Sequence, residues 1–181
     1  VEDINADARP FGLRLRLLSR DDKNDPAVAR KVDAELADAG AIAIIGHMTS
    51  SPAMAALSVS EEQDLVYVSP TASTPALSRR KDRFFRVQGA TDAAARALGG
   101  FAAEELGLST VDTVRDRRNE AYGLPFNTRF AAGFEDAGGT VRQQLVFGGE
   151  GTEGPVDVAE LLTSPAAEGV LANDRPGTPG Q

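Results

Sequence analysis

The stretch AIAIIGHMTSSPAMAAL, residues 41–57, sets an unbroken apolar run directly against a knot of small hydroxyl residues and then a proline. An uncharged run of this length, bounded by glycine, reads as a buried strand of a parallel sheet. The residues from Pro52 to about Glu62 read as a helix with Met54 and Leu57 facing inward. The hydroxyls Thr49, Ser50 and Ser51 therefore fall where strand turns into helix. In a parallel α/β sheet that junction lies beyond the carboxyl end of the strand, which is where ligands bind.

Working outward, apolar runs and helical patterns alternate along the whole chain, as βαβ units do. LRLRLL (13–18) reads as a first strand. DPAVARKVDAELADAG then reads as a helix, with Asp25 as its cap, Pro26 in its first turn, Val28, Val32 and Leu36 on one face and Gly40 at its end. After the strand at 41–46 and its helix come strands LVYVS (65–69) and FFRV (84–87). Neither inner strand carries a charge, so both sheet faces are expected to be covered by helices.

After QGAT (88–91) the alternation begins again. A helix is predicted over 92–106 around Leu98, Phe101 and Leu106, then a weak strand at 110–114. Phe126, Phe130 and Phe134 recur every four residues, which predicts a helix over 124–137 ended by Gly138 and Gly139. TVRQQLVFG supplies a strand at 140–147, VDVAELL a short helix at 156–162 and GVLA a last strand at 169–172. The fold class is α/β, with parallel sheets flanked by helices in two lobes. The first lobe is expected over 1–90, part of a second over 91–172, and a loose Pro- and Gly-rich tail over 173–181.

A second loop, SPTASTP, follows the strand at 65–69 in the way HMTSSP follows the strand at 41–46. Each ends in a hydroxyl before a proline, Ser51 before Pro52 and Thr74 before Pro75, the signature of a helix start. If the two strands are neighbours, two sets of unpaired N–H groups converge on one spot. An anionic group such as a carboxylate or phosphate would be held well there. The alternative is that these hydroxyls only cap helices.

Composition narrows the functional classes. With 27 acidic against 19 basic residues the formal charge is −8, which repels nucleic acid. The basic run SRRKDRFFR near residue 80 reads as a solvated turn beside a short strand. The absence of cysteine excludes disulfides, thiolate metal sites and cysteine nucleophiles. No run approaches the ~20 apolar residues of a membrane span.

Other candidate sites carry less. GEGTEG (149–154) fits the dinucleotide pattern G-x-G-x-x-G, with Asp174 about twenty residues on, but Glu150 and Glu153 would set two negative charges against a pyrophosphate. His47, the single histidine, reads as a packed or hydrogen-bonded residue, because no acid is placed by sequence to orient it. GHMTSSP is not the G-x-S-x-G nucleophile elbow, so Ser50 lacks the turn that a nucleophile needs. DDKND (21–25) resembles the start of a calcium loop but lacks its central Gly and final Glu, so turn formation and helix capping explain it more simply. No cofactor and no metal site is expected.

The ordered marks DD and DP after the first strand, IGHMTSS after the second, VSPTAS after the third, and YG at Tyr122 and Gly123 resemble one family. The chain is similar to the type I periplasmic solute-binding proteins, most of all the branched-chain amino-acid-binding (Leu/Ile/Val-binding-like) group, over roughly residues 2–172. The resemblance implies a non-enzymatic protein of an extracytoplasmic compartment that binds a small amino-acid-like solute and delivers it to an ABC-type permease. It further implies that Ser50, the main chain of Thr71 and the hydroxyl of Ser73 grip the carboxylate and amine, and that Tyr122 closes over the ligand from the second lobe. Thr49, Ala72 and Thr74 are further candidates in the same loops. Some relatives join the first two loops by a disulfide; Asn24 and Thr49 occupy those positions here. Against the family pattern, Val1 falls within the first helix, after the first strand, and Gln181 within the second lobe, ahead of the carboxylate that answers the ligand's ammonium. Two rivals remain: the sensing domain of a membrane receptor, and a nucleotide-dependent enzyme built on the 149–154 loop.

Overall fold

A computed structural model describes residues 1–8, 12, 14–148 and 169–172. The order of elements is α1 (Glu2–Ala8), α2 (Pro26–Asp38), β1 (Ala43–Ile45), α3 (Ser50–Gln63), β2 (Val66–Ser69), β3 (Phe84–Arg86), α4 (Asp92–Glu104), β4 (Thr110–Asp116), α5 (Glu120–Asp136), β5 (Thr140–Phe147) and β6 (Gly169–Ala172). Single 3-10 turns sit at Pro75–Leu77 and Arg117–Asn119. Among the described residues the strands form two parallel three-stranded sheets, ordered β1-β2-β3 and β5-β4-β6.

Local signals decide the ends of several helices. Asp25 accepts hydrogen bonds from the amides of Ala27 at 2.7 Å and Val28 at 2.9 Å, so two of the donors left open at the start of α2 are satisfied. Pro26 takes the first helical position, and Gly40, with φ of +84°, turns the chain out at the other end. Gly138 does the same for α5 with φ of +91°.

In the first sheet Ile44 pairs with Tyr67, and Tyr67 with Phe84. Leu36 of α2 and Ala56 of α3 close over Ile44 and Tyr67, together with Leu65, as one core. Both helices thus lie on the same side. Among the described residues the other side is open: Ile45 of β1 and Phe85, in the same register row of β3, are 82% and 58% exposed, which corrects the expectation of a sheet covered on both faces. Absence of charge in a short strand marks compatibility with burial; it does not say how many helices arrive.

The predicted strand at 13–18 is not formed over its described residues, 14–18. A strand exists only through a partner, and here the Asn5 side chain serves both main-chain groups of Leu15: its Oδ1 accepts from the amide at 2.6 Å and its Nδ2 donates to the carbonyl at 2.9 Å. Leu15 and Leu17 are left exposed.

In the second half β4, read from sequence as weak, is the central strand between β5 and β6. Its buried Asp112 is answered by Arg142 of β5, whose Nε donates to Oδ1 at 3.0 Å, so the charge does not exclude the strand from the interior. The inward face of α4 is Ala95, Gly99 and Ala102, whereas Leu98, Phe101 and Leu106 are exposed. The reason is close approach to α5: a Cβ on Gly99 would lie 2.1 Å from the Phe130 carbonyl oxygen, and one on Gly133 2.0 Å from that of Arg96. Phe130 and Phe134 fill the core beneath this crossing, as the four-residue stripe predicts. The helix α5 starts at Glu120, four residues ahead of the predicted start, and carries Pro125 within it. The predicted helix at 156–162, the loop 149–154 with Asp174, and the tail lie outside the described residues. None of the described helices is long and apolar enough to cross a membrane.

Candidate functional site

Parallel pairing of β1 with β2 sets the loops after them side by side, and their polar groups interlock. Ser50 stands at the first position of α3, only 2% exposed, and its Oγ accepts from the amides of Ser73 and Thr74, each at 3.3 Å. Thr71 donates its hydroxyl to the Met48 carbonyl. Ser69 donates to the His47 carbonyl at 2.8 Å and accepts from the Ala72 amide at 3.1 Å. The Ala72 amide is therefore engaged within its own loop. Thr74 caps the 3-10 turn, its Oγ1 accepting from Ala76 at 3.4 Å. Arg86 of β3 braces the same loop by donating to the Thr74 carbonyl at 2.8 Å and the Ser78 hydroxyl at 2.6 Å.

Ser51, expected to cap its own helix, has a different role. The helix begins earlier, with Thr49 at the cap position, where its side chain accepts no capping hydrogen bond from the first-turn amides. Pro52 still fits, because the amides of the first turn have no helical partner to lose. The Ser51 hydroxyl instead accepts from the Ala121 amide at 3.1 Å, while the Ser51 amide donates to Asn119 Oδ1 at 3.2 Å. These two bonds join the start of α3 to the start of α5, whose first turn holds Tyr122. Tyr122 is half-buried and packs its ring against Phe126 at 5.4 Å between centroids. The structure thus brings Thr49, Ser50, Ser51, Thr71, Ser73, Thr74 and Tyr122 into one region.

The loop ahead of α2 joins the same assembly. Asp21 and Asp22 accept from the amides of Lys23 and Asn24, both at 2.8 Å, which makes DDKND a turn and a cap. Thr49 donates its hydroxyl to Asn24 Oδ1, so a hydrogen bond links the loop ahead of α2 to the start of α3.

His47 is packed and hydrogen-bonded, as expected, but two acids that the sequence did not place flank it. Its Nδ1 lies 2.6 Å from Asp22 Oδ2 and its Nε2 2.8 Å from Asp33 Oδ2. Asp33 Oδ2 also accepts from the Tyr67 hydroxyl at 2.9 Å. Burial opposes a charge on His47, yet the bonds to Asp33 and Asp22 outweigh it and hold the imidazole pKa above its ordinary value. Burial and the neighbouring Asp33 push the Tyr67 phenol up, so it stays a donor. The available signal was Asp33 itself, an acid on the inward face of α2 between Ala29 and Leu36.

A family model described as periplasmic binding protein matches residues 1–173. The chain belongs to the periplasmic binding protein family. An amino acid binding protein from Pseudomonas aeruginosa is 30% identical to it over 131 residues, 71% of this chain and 35% of the relative. The Leu/Ile/Val-binding protein of Escherichia coli is 26% identical over 125 residues, 68% of this chain and 34% of the relative. The chain thus spans about a third of the length of these curated relatives. Among solved structures, the branched-chain amino acid transporter substrate-binding protein LivJ from Streptococcus pneumoniae, in complex with isoleucine, superposes with a TM-score of 0.77 at 18% identity. That match covers 94% of this chain and 48% of LivJ. A solute-binding protein of an ABC transporter from R. palustris, in complex with benzoate, gives 0.72 at 24% identity over 91% of this chain and 47% of that one. The type I, Leu/Ile/Val-binding-like resemblance and the α/β fold of this periplasmic binding protein are borne out.

Proposed function

We propose that the region built from the loops after β1 and β2 is a binding wall for a small solute bearing a carboxylate, an amino acid of the branched-chain type being the first candidate. The observation that carries this reading is the convergence of Thr49–Ser51, Thr71–Thr74 and the start of α5 on one place. Ser50 Oγ receives two amides of the second loop, which occupies its lone pairs and leaves its O–H to donate. A ligand carboxylate is the acceptor that such a hydroxyl suits. Ser73 and the main chain of Thr71 hold the ligand's head group from the second loop, and Tyr122 covers it from the start of α5.

Support also comes from the relatives. Isoleucine and benzoate, the ligands of two structural neighbours, share only a carboxylate as a polar handle. The role that follows is extracytoplasmic capture of the solute for an ABC-type permease, without chemistry on it. The lobes 1–90 and 91–172 are its two walls. Titration calorimetry tests the reading. L-leucine should release heat on binding, and Ser50→Ala combined with Ser73→Ala should abolish it. NAD binding that survives both changes, with no leucine binding in the parent, would overturn it.

A further inference from the structure

His47 is the node between three loops, and its side chain is nearly as buried, at 6% exposed, as the Asp33 carboxylate beneath it at 1%. From the turn ahead of α2 it meets Asp22, and from α2 it meets Asp33. From β2 the Tyr67 phenol reaches the same Asp33 oxygen, and the start of α3 adds only the uncharged Thr49, Ser50 and Ser51. Two carboxylates on the two ring nitrogens need two N–H donors, which only the imidazolium has. A neutral ring would set a lone pair against a carboxylate oxygen at 2.6 or 2.8 Å.

The clamp is wired to the proposed site by short bonded paths. Asp22 accepts from the Asn24 amide, and Asn24 accepts from Thr49. The His47 carbonyl accepts from Ser69, which accepts from Ala72. The Met48 carbonyl accepts from Thr71, and Ser50 follows two residues later.

We propose that the His47 imidazolium, clamped by Asp22 and Asp33, is the positioning residue of the ligand site, holding Thr49–Ser50 and Thr71–Thr74 in register, so that solute binding weakens when His47 loses its proton. This rests on the ligand reading given above. If only the protonated form is competent, the apparent Kd rises about tenfold per pH unit above the His47 pKa.

The test uses the single histidine. In labelled protein one imidazole titrates, and its nitrogen signals are followed from about pH 6 to pH 10 together with the amides of Ser73 and Thr74. L-leucine affinity is measured over the same range. The proposal expects both ring nitrogens protonated at pH 7, loop amides shifting with the same midpoint as the ring, and leucine affinity falling with that midpoint. Asp33→Asn offers a neutral ring a donor in place of a carboxylate and should move the midpoint down and abolish the alkaline loss. A neutral ring at pH 7, loop amides that ignore the titration, or leucine affinity that is flat across it would each overturn the proposal. Loop amides that follow the ring while leucine binds at no pH would sustain the positioning role and overturn the leucine-type reading instead.

Discussion

Replacing Gly99 by alanine forces a conflict between α4 and α5 that neither helix can relieve by a side-chain movement. The added Cβ meets the Phe130 carbonyl oxygen at 2.1 Å, the Phe134 amide nitrogen at 2.6 Å and the Gly133 carbonyl carbon at 3.1 Å, all backbone atoms. Ordinary contact is reached near ~3.5 Å, so the helices must part by roughly 1.4 Å. A gap of that size costs the facing Ala95, Ala102, Phe130 and Phe134 much of their dispersion attraction. Overpacking of this kind costs about 1–3 kcal/mol, and rigid backbone partners place it at the upper end. The helix propensity gained by alanine returns about 1 kcal/mol, leaving a net loss of about 2 kcal/mol. With an m-value of about 2 kcal/mol per molar, the urea midpoint should fall by about 1 M at unchanged slope. Gly100→Ala is the internal control, because its Cβ would find the nearest atom, the Gly133 carbonyl oxygen, at 4.0 Å. It should raise the midpoint by a few tenths molar, from propensity alone. A Gly99→Ala protein as stable as Gly100→Ala would refute the close-crossing account of this helix pair.

Stability should fall as pH rises through the His47 titration. The folded-state pKa is raised, so the contribution is complete below the unfolded value of 6.5 and is lost above the folded one. Melting temperature measured against pH should show this alkaline decline in the parent and not in His47→Gln. Ser50→Ala removes the acceptor of two buried amides and should cost about 1–3 kcal/mol by urea denaturation. Asp25→Ala removes the double cap of α2 and should cost about 1 kcal/mol in the same assay, with Asp25→Ser recovering most of it.

What was legible in the sequence was local. Asp25 with Pro26, Thr74 with Pro75, and Gly40 and Gly138 each fix a helix end through bonds that span a few residues, so their type and spacing suffice. The phenylalanine stripe of α5 was legible for the same reason. The segment 14–18 was misread because a ladder needs a neighbour, and no periodicity within six residues announces one. In α4 the large residues drew the reading, although contact between helices runs through Ala95, Gly99 and Ala102, which hydropathy ranks as weak. At the site, the hydroxyl loops could be placed by strand order, but the bonds of Ser51 to Asn119 and Ala121 cross about seventy residues. The Asp22, His47, Asp33 and Tyr67 assembly was missed likewise, being drawn from a turn, a loop, a helix and a strand. Its one local sign was a carboxylate where α2 should have been apolar.

The most direct test of the binding wall is an amide chemical-shift titration of the chain with L-leucine and, separately, with leucinamide, which keeps the side chain and amine but lacks the carboxylate. Saturable shifts are expected at Ser50 and over Thr71–Thr74 with leucine, and none with leucinamide. Equal shifts with both compounds, or leucine shifts confined to residues away from these loops, would contradict that expectation.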